Sequence, residues 1–223
     1  MPTLAEKLEA DIEERQSVLF EIERVLFVGR YNISKKHLDI FSVQSIAMIY
    51  SIWEGFIQNA FNNYIEEINI KQLYNRLVKD ELYIYHIEKA FPQFYDYPSK
   101  QTRKISFHQR LNGFFDDKKL KIKPGVSTQS NVSFDVLNVL MKSFCLEAFS
   151  ENWKYYTYPN INLKDSLTSF LRYRNAVSHG GDISSEDKVT HDVFEKYKNL
   201  VLDLMCEIEH RMLSGIENNC FMK

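Results

Sequence analysis

One long segment limits the folds that this chain can adopt. Between Lys35 and Ile70 the apolar side chains recur every three or four residues, which is the spacing of a helix. From Ile46 to Phe61 they cover most of the helix circumference, so we expect little of this segment to face solvent. A helix buried in this way needs other helices around it, and the segment therefore favours a helical bundle.

Glycine and proline positions divide the rest of the chain into further predicted helices. The 223 residues include only 7 glycines and 5 prolines, too few for a turn-rich β fold. The other predicted helices follow a Thr3–Glu6 capping box, run from Gln72 to Ala90, start near Ser133, run from a cap at Asn160 or Asn162 to Val177, and run from a cap at Ser184 or Ser185 to Met212. No alternating strand of five or more residues stands out, and Tyr83 to Ile87 comes nearest.

The predicted architecture is therefore all-α: an antiparallel helical bundle with long central helices. We expect one domain over residues 1–223, with an irregular, basic and aromatic insertion at about 91–128. The connections between the predicted helices are short, which favours antiparallel neighbours.

Composition excludes several classes of function. The formal net charge of −2 gives no overall attraction to nucleic acid, so a nucleic-acid partner needs a local basic patch. No run of 18 apolar residues occurs, and the first 14 residues contain many charged side chains, unlike a signal peptide. We therefore expect no membrane partner and a cytoplasmic location. Three widely spaced cysteines predict neither disulfides nor zinc, and the sequence contains no phosphate-binding glycine loop. We therefore expect no metal site and no cofactor.

The stretch from Arg172 to Gly181 is the strongest candidate for chemistry. It ends a predicted helix, where Asn175 and His179 are one turn apart on the same face. Arg174 lies about 140° round the axis from His179, so only its long side chain can bring the two charges together. An arginine, an amide and a histidine match the needs of phosphodiester chemistry: a phosphate clamp, an orienting hydrogen bond and a proton carrier.

The same residues also fit a structural role. Arg174 follows apolar positions of its helix and can form a salt bridge to Glu54 or Asp165. His179 can bond the last carbonyls of its helix, which Gly180 then ends through a left-handed cap. Spacing alone leaves both interpretations open.

The fragment from Arg174 to His179 resembles the R-N-x-x-x-H signature of the HEPN superfamily. The helical segment Tyr50–Ile57 and the segment Ser130–Leu137 are also similar to HEPN proteins of the stand-alone, defence-associated type. These are small helical domains, and many are metal-independent endoribonucleases of toxin–antitoxin and antiviral systems. A related toxin group carries a tyrosine where this chain has Gly181, so regulation by adenylylation of that tyrosine is not expected here.

The resemblance implies a role for each residue of the motif. His179 would act as general base or acid on the ribose 2′-hydroxyl and the leaving oxygen, Arg174 would bind the scissile phosphate, and Asn175 would orient one of them. It further implies a homodimer with the two motif helices facing across a cleft, RNA as substrate, and an antitoxin or accessory defence protein as partner. The alternative is a non-catalytic HEPN module that binds RNA, a nucleotide or a protein partner.

Two further groups of residues are weaker candidates. Glu54 lies on the long apolar helix, where a buried carboxylate needs a partner such as Arg174 or Arg172. It would then either support the residues of the site or form a purely structural ion pair. A basic group interleaved with phenylalanines forms the best local patch for an RNA backbone and its bases. Its members are Lys100, Arg103, Lys104 and Arg110. A solvated lysine-rich loop over a small apolar cluster would produce the same pattern.

Overall fold

The computed structural model describes residues 2–116, 119–128, 131–153, 162–178 and 189–223. These residues form seven α-helices: α1 (Leu4–Phe27), α2 (Lys35–Ile70), α3 (Asp80–Ala90), α4 (Gln101–Asp116), α5 (Phe134–Ser143), α6 (Leu163–Ser178) and α7 (His191–Glu217). Among them there is no β-strand, and the nearest strand candidate, Tyr83 to Ile87, lies inside α3. The all-α prediction is confirmed.

Helix α2 is the centre of the bundle and has the bounds that its apolar spacing predicts. Its side chains Trp53, Phe56 and Ile57 are fully buried, and α1, α6 and α7 all pack against it. By length and composition α2 could also cross a membrane, but half of its most apolar stretch is buried inside the protein. Packing by three neighbouring helices accounts for its apolar composition.

Most of the predicted helix caps are present. The side chain of Thr3 accepts from the N–H of Glu6, and Glu6 bonds back to the Thr3 backbone. Ser133 caps α5 by accepting from Val136. Asn162 Oδ1 accepts from the third residue of α6 at 3.0 Å. These side chains bond N–H groups that have no partner within the helix itself.

Two predicted helix starts are wrong. The helix expected from Gln72 begins only at Asp80, because a 3-10 turn and two isolated bridges occupy the residues between. The last helix begins at His191, where the side chain of Thr190 accepts from Val193. The expected caps Ser184 and Ser185 lie outside the described residues. Apolar spacing placed the start of α3 too early, because it continues through residues 72–79, which are not part of the α-helix.

The region expected to be irregular contains helix α4. Phe107, Leu111 and Phe114 recur at spacings of four and three, so one side of the segment is apolar. Phe107 is buried, and both it and Phe114 meet Phe91 edge to face. The basic residues and Gly113 hide this periodicity in the sequence.

A connection without regular structure, which we call the α2 strap, covers residues 119–128 and 131–132 and runs back along α2. Asn69 both donates to the Ile122 carbonyl and accepts from its N–H, each at 2.9 Å. Asn62 accepts from the N–H groups of Gly125 and the next residue. These polar side chains of α2 bind backbone groups that have no helix or sheet partner of their own. They thereby fix the strap onto the central helix and lead it towards residue 128, with the two asparagines about two turns of α2 apart.

Candidate functional site

Arg174 lies near the C-terminal end of α6 and is half-buried against α2. Its guanidinium carbon is 4.9 Å from the centroid of the Tyr50 ring. Its Nη1 donates to Oδ1 of Asn175 at 2.9 Å. A cation over an aromatic face is attracted by the ring quadrupole, and the amide adds a directional contact. The structure therefore brings Arg174 and Asn175, two of the three predicted motif residues, together. It also places the Arg174 guanidinium over the ring of Tyr50, which is not part of the motif.

The Tyr50 ring lies under that guanidinium, and its own position is fixed by burial and two contacts. The ring is fully buried and meets Phe170 of α6 edge to face. Its hydroxyl oxygen accepts from the N–H of Val132 in the α2 strap at 2.6 Å. Burial raises the pKa of the Tyr50 hydroxyl, and the Val132 N–H and the Arg174 charge only partly oppose this rise. The ring therefore stays neutral and rigid beneath Arg174.

The sequence analysis missed Tyr50 as a residue of the site. Its position in the apolar pattern identified it as part of the core, which it is. The available signal was its spacing: Tyr50 and Glu54 are four residues apart, on the same face of the central helix.

Glu54 lies one turn beyond Tyr50 and faces the α2 strap. Thr128 donates its hydroxyl hydrogen to Glu54 Oε1 at 2.5 Å, and Gln58 donates to the same hydroxyl oxygen at 3.2 Å. The carboxylate contributes to raising the pKa of Tyr50 while the charge of Arg174 lowers it, so both charges act on the same ring. We expected an arginine as the partner of Glu54, and the hydrogen-bond partner that the structure shows is Thr128.

Arg172 leaves α6 on a different side from Arg174. Two residues of a helix are about 200° apart, so the two arginines diverge. The Arg172 guanidinium lies 5.7 Å from the centroid of the neighbouring Tyr173 ring, and that ring meets Tyr197 of α7 edge to face. Arg172 thus lies on the side of α6 that faces α7, whereas Arg174 lies on the side that faces Tyr50.

His179, the predicted proton carrier, lies outside the described residues, as do the two glycines that follow it. The described part of α6 ends at Ser178, one residue before the histidine. The convergence of His179 with Arg174 therefore stays a prediction.

The basic group predicted to bind RNA lies on another element. Arg103, Lys104 and Arg110 belong to α4, and Lys100 directly precedes it. Among the residues that the structure describes, no group of three histidine, cysteine or acidic side chains could hold a metal ion. The predicted site residues thus lie on different elements: Arg172 and Arg174 belong to α6, and the basic group belongs to α4 and the residue before it.

An apolar groove of about 800 Å³ runs between α1 and the first half of α2. Val18, Val25, Phe41 and Met48 line it and are each at least two-fifths exposed. Contiguous exposed apolar side chains of this kind are typical of interaction surfaces.

Comparison with protein families identifies the chain. A long central helix surrounded by antiparallel helices, with an arginine and an amide near the end of one of them, is the class of fold that the HEPN resemblance implies. The family model described as RiboL-PSP-HEPN matches residues 15–213, a span that includes positions 174–179. The chain belongs to this HEPN family, which confirms the predicted superfamily. Comparison with curated proteins and with solved structures gave no match.

Proposed function

We propose that this HEPN protein is a metal-independent endoribonuclease whose site contains Arg174, Asn175 and His179. The observation that carries the proposal is the placement of Arg174, which is held between the Tyr50 ring and the Asn175 amide near the end of α6. A guanidinium fixed in this way can present its planar N–H groups to a phosphate without first losing side-chain freedom. Family membership supports the same function.

The proposed reaction is a transesterification. His179 takes the proton of a ribose 2′-hydroxyl, the 2′-oxygen attacks the adjacent phosphorus, and the bond from phosphorus to the 5′-oxygen breaks. A protonated imidazole then supplies the proton of the leaving oxygen. Arg174 binds the phosphate and stabilises the charge that develops on it, while Asn175 holds the guanidinium in place. The products are a 2′,3′-cyclic phosphate and a 5′-hydroxyl.

The proposal includes a homodimer in the cytosol, acting in a toxin–antitoxin or antiviral setting with an antitoxin or accessory protein. The exposed apolar groove supports a dimer, because a second copy packed there would remove Phe41 and Met48 from water. We expect the double variant Phe41→Ser and Met48→Ser to be monomeric by light scattering and to cleave RNA poorly.

The decisive experiment is cleavage of a mixed RNA pool in the presence of a chelator. We expect the wild type to cleave it, and His179→Ala and Arg174→Ala each to lose roughly 10²–10⁴-fold in rate. Two substitutions serve as matched controls. Arg76→Ala removes another exposed arginine that lies over a tyrosine ring, and His210→Ala removes an exposed histidine of α7.

Each outcome of this experiment separates the proposal from its alternative. Loss of cleavage in the two site variants, with full activity in both controls, supports the nuclease. Equal cleavage by all variants would reveal a contaminating enzyme and overturn the assignment. RNA binding without cleavage by the wild type would leave a non-catalytic HEPN module that binds RNA, a nucleotide or a protein.

A further inference from the structure

A polar cleft lies between α4 and the segment that precedes it, on an element that supplies no residue to the Arg174 group. Its volume is about 400 Å³. Helix α4 contributes Arg103, Ser106, Phe107 and Arg110, and the preceding segment contributes Gln93, Asp96 and Pro98. Phe107 is buried and forms the apolar floor, while both arginines are exposed at the rim. The cleft thus combines an apolar surface with two fixed sources of positive charge.

The charge around the cleft is mainly positive, and Asp96 is the one carboxylate among the described residues that line it. Residues 97–115 include two lysines and two arginines and contain no carboxylate, although the whole chain is slightly acidic. Arg103 and Arg110 are seven residues apart on one face of α4, or about 10 Å along its axis. Among the described residues, no carboxylate lies within ion-pair distance of either guanidinium. Arginines that have no carboxylate partner within the protein can bind the phosphates of a polyanion.

Three exposed aromatic residues are neighbours, along the chain, of residues that line the cleft. Tyr95 is 76% exposed, and Phe94 and Tyr97 are each about half exposed. Tyr97 is held in place by an edge contact with Phe107, a hydrogen bond between its hydroxyl and His108, and the Lys104 ammonium over one face of its ring. Exposed rings beside cations are the arrangement on which unpaired bases stack.

The cleft also contains a buried acceptor. The Oε1 atom of Gln93 is buried and has no hydrogen-bond partner in the structure, although its residue lines the cleft. A buried acceptor without a donor costs free energy, which a bound ligand with an N–H or O–H group would recover. Bases and ribose hydroxyls provide such donors, whereas an acidic peptide offers only its backbone.

We propose that this α4 cleft is a binding surface for single-stranded RNA, separate from the Arg174 site. Arg103 and Arg110 contact successive parts of the backbone, and the exposed rings of Tyr95 and Tyr97 stack on bases. The choice of RNA among polyanions rests on the proposed function, because an endoribonuclease has RNA as its substrate. The surface would hold the substrate while the site on α6 acts on it.

The test measures binding, so that it does not depend on cleavage. Fluorescence anisotropy would follow a labelled, mixed-sequence 15-nucleotide RNA binding to full-length protein that carries His179→Ala. In this background we expect Arg103→Gln with Arg110→Gln to weaken binding at least tenfold. The slope of log affinity against log salt should fall by about 1.4, since two single-strand phosphate contacts are lost. Arg76→Gln with Lys142→Gln removes two other exposed charges and should change neither quantity.

The aromatic contribution has its own pair of variants. Tyr95→Ala removes the most exposed ring and should weaken binding roughly tenfold, whereas Tyr95→Phe keeps the stacking face and should bind like its parent. Circular dichroism would confirm that all variants keep the helix content of the parent.

Several results would overturn the inference. These are equal binding by parent and arginine variants, equal weakening by the charge-matched control, and competition by polyglutamate or duplex RNA as effective as by single-stranded RNA. A protein that cleaves RNA normally but loses nothing on substitution of the cleft would refute this inference alone. A protein that binds RNA through the cleft but never cleaves it would refute the proposed nuclease alone.

Discussion

The ion pair between Glu23 of α1 and Lys198 of α7 allows the stability of the bundle to be tested quantitatively. Lys198 Nζ lies 2.6 Å from Glu23 Oε2, and the lysine side chain is only 6% exposed. Glu23 is 17% exposed and has a second partner, His191, at 2.9 Å. Removing either charge therefore has a different consequence. Without Glu23, Lys198 is a buried charge that has lost its carboxylate, whereas without Lys198, Glu23 still has His191 as a partner and some contact with solvent.

This asymmetry predicts unequal effects of the two single substitutions. Glu23→Leu leaves a buried ammonium group without its carboxylate and should cost about 3–5 kcal/mol of unfolding free energy. Lys198→Met removes a charged hydrogen bond but leaves Glu23 with His191, so we expect about 1.5–3 kcal/mol. The double variant replaces the pair with apolar side chains and should lie nearer to the wild type than Glu23→Leu does.

Urea unfolding followed by circular dichroism at pH 7 would measure all four proteins. For a chain of this length, a loss of 3 kcal/mol corresponds to roughly 6–12 °C in Tm. If Glu23→Leu lost less than about 1 kcal/mol, or the double variant were the least stable of the four, the pair would not act as a buried ion pair and the reasoning would fail.

The same pair gives stability a dependence on pH. Burial alone would raise the pKa of the Glu23 carboxyl, but its hydrogen bonds to Lys198 and His191 outweigh burial and hold the pKa below its ordinary value. The stabilisation is therefore fully present above the pKa of the unfolded chain, about 4.3, and is lost as pH falls through the lower pKa of the folded protein. The stability difference between wild type and Glu23→Leu should therefore shrink as pH falls below about 4.3. A difference that grew over that range would contradict this sign.

Three further substitutions, measured by urea unfolding, test particular contacts. Tyr50→Phe keeps the ring beneath the arginine but leaves the buried N–H of Val132 without its acceptor, so we expect a loss of about 1–3 kcal/mol of unfolding free energy. A Cβ at Gly215 would lie 2.6 Å from the buried Tyr64 hydroxyl oxygen and from a leucine methyl, so Gly215→Ala should cost about 1–3 kcal/mol. A Cβ at Gly113 would meet nothing within 4 Å, so Gly113→Ala should instead raise the free energy of unfolding by about 0.5–1 kcal/mol, because alanine favours a helix more than glycine does. Equal effects at the two glycines would show that helix propensity, not packing, decides both.

The parts of the fold that the sequence predicts are those that depend on local chemistry. The capping box at Thr3 and the bounds of α2 follow from side chains within a few residues of each other, and both are confirmed. The start of α3 and the existence of α4 depend instead on contacts with distant segments. Helix α4 is stabilised by rings such as Phe91, which its own sequence does not reveal.

The candidate site shows the same division. The pattern of Arg174 and Asn175 is visible in the sequence because the two residues are adjacent. Tyr50 is hidden because a buried tyrosine and a buried phenylalanine give the same apolar pattern. The difference lies in the hydroxyl, whose partner Val132 is 82 residues away along the chain. No periodicity rule can assign a partner at that separation.

The polar positions of α2 connect these observations. Tyr50, Glu54, Asn62 and Asn69 lie within one sector of the helix about 120° wide, and each bonds the α2 strap. Apolar replacements at these positions would suit a buried helix but would remove the partners of strap backbone groups and of the Thr128 hydroxyl hydrogen. The strap ends at Val132, whose N–H positions the Tyr50 ring, and that ring positions Arg174. One side of the central helix therefore packs into the core. Another side binds the strap and, through the Tyr50 ring, positions the Arg174 guanidinium of α6.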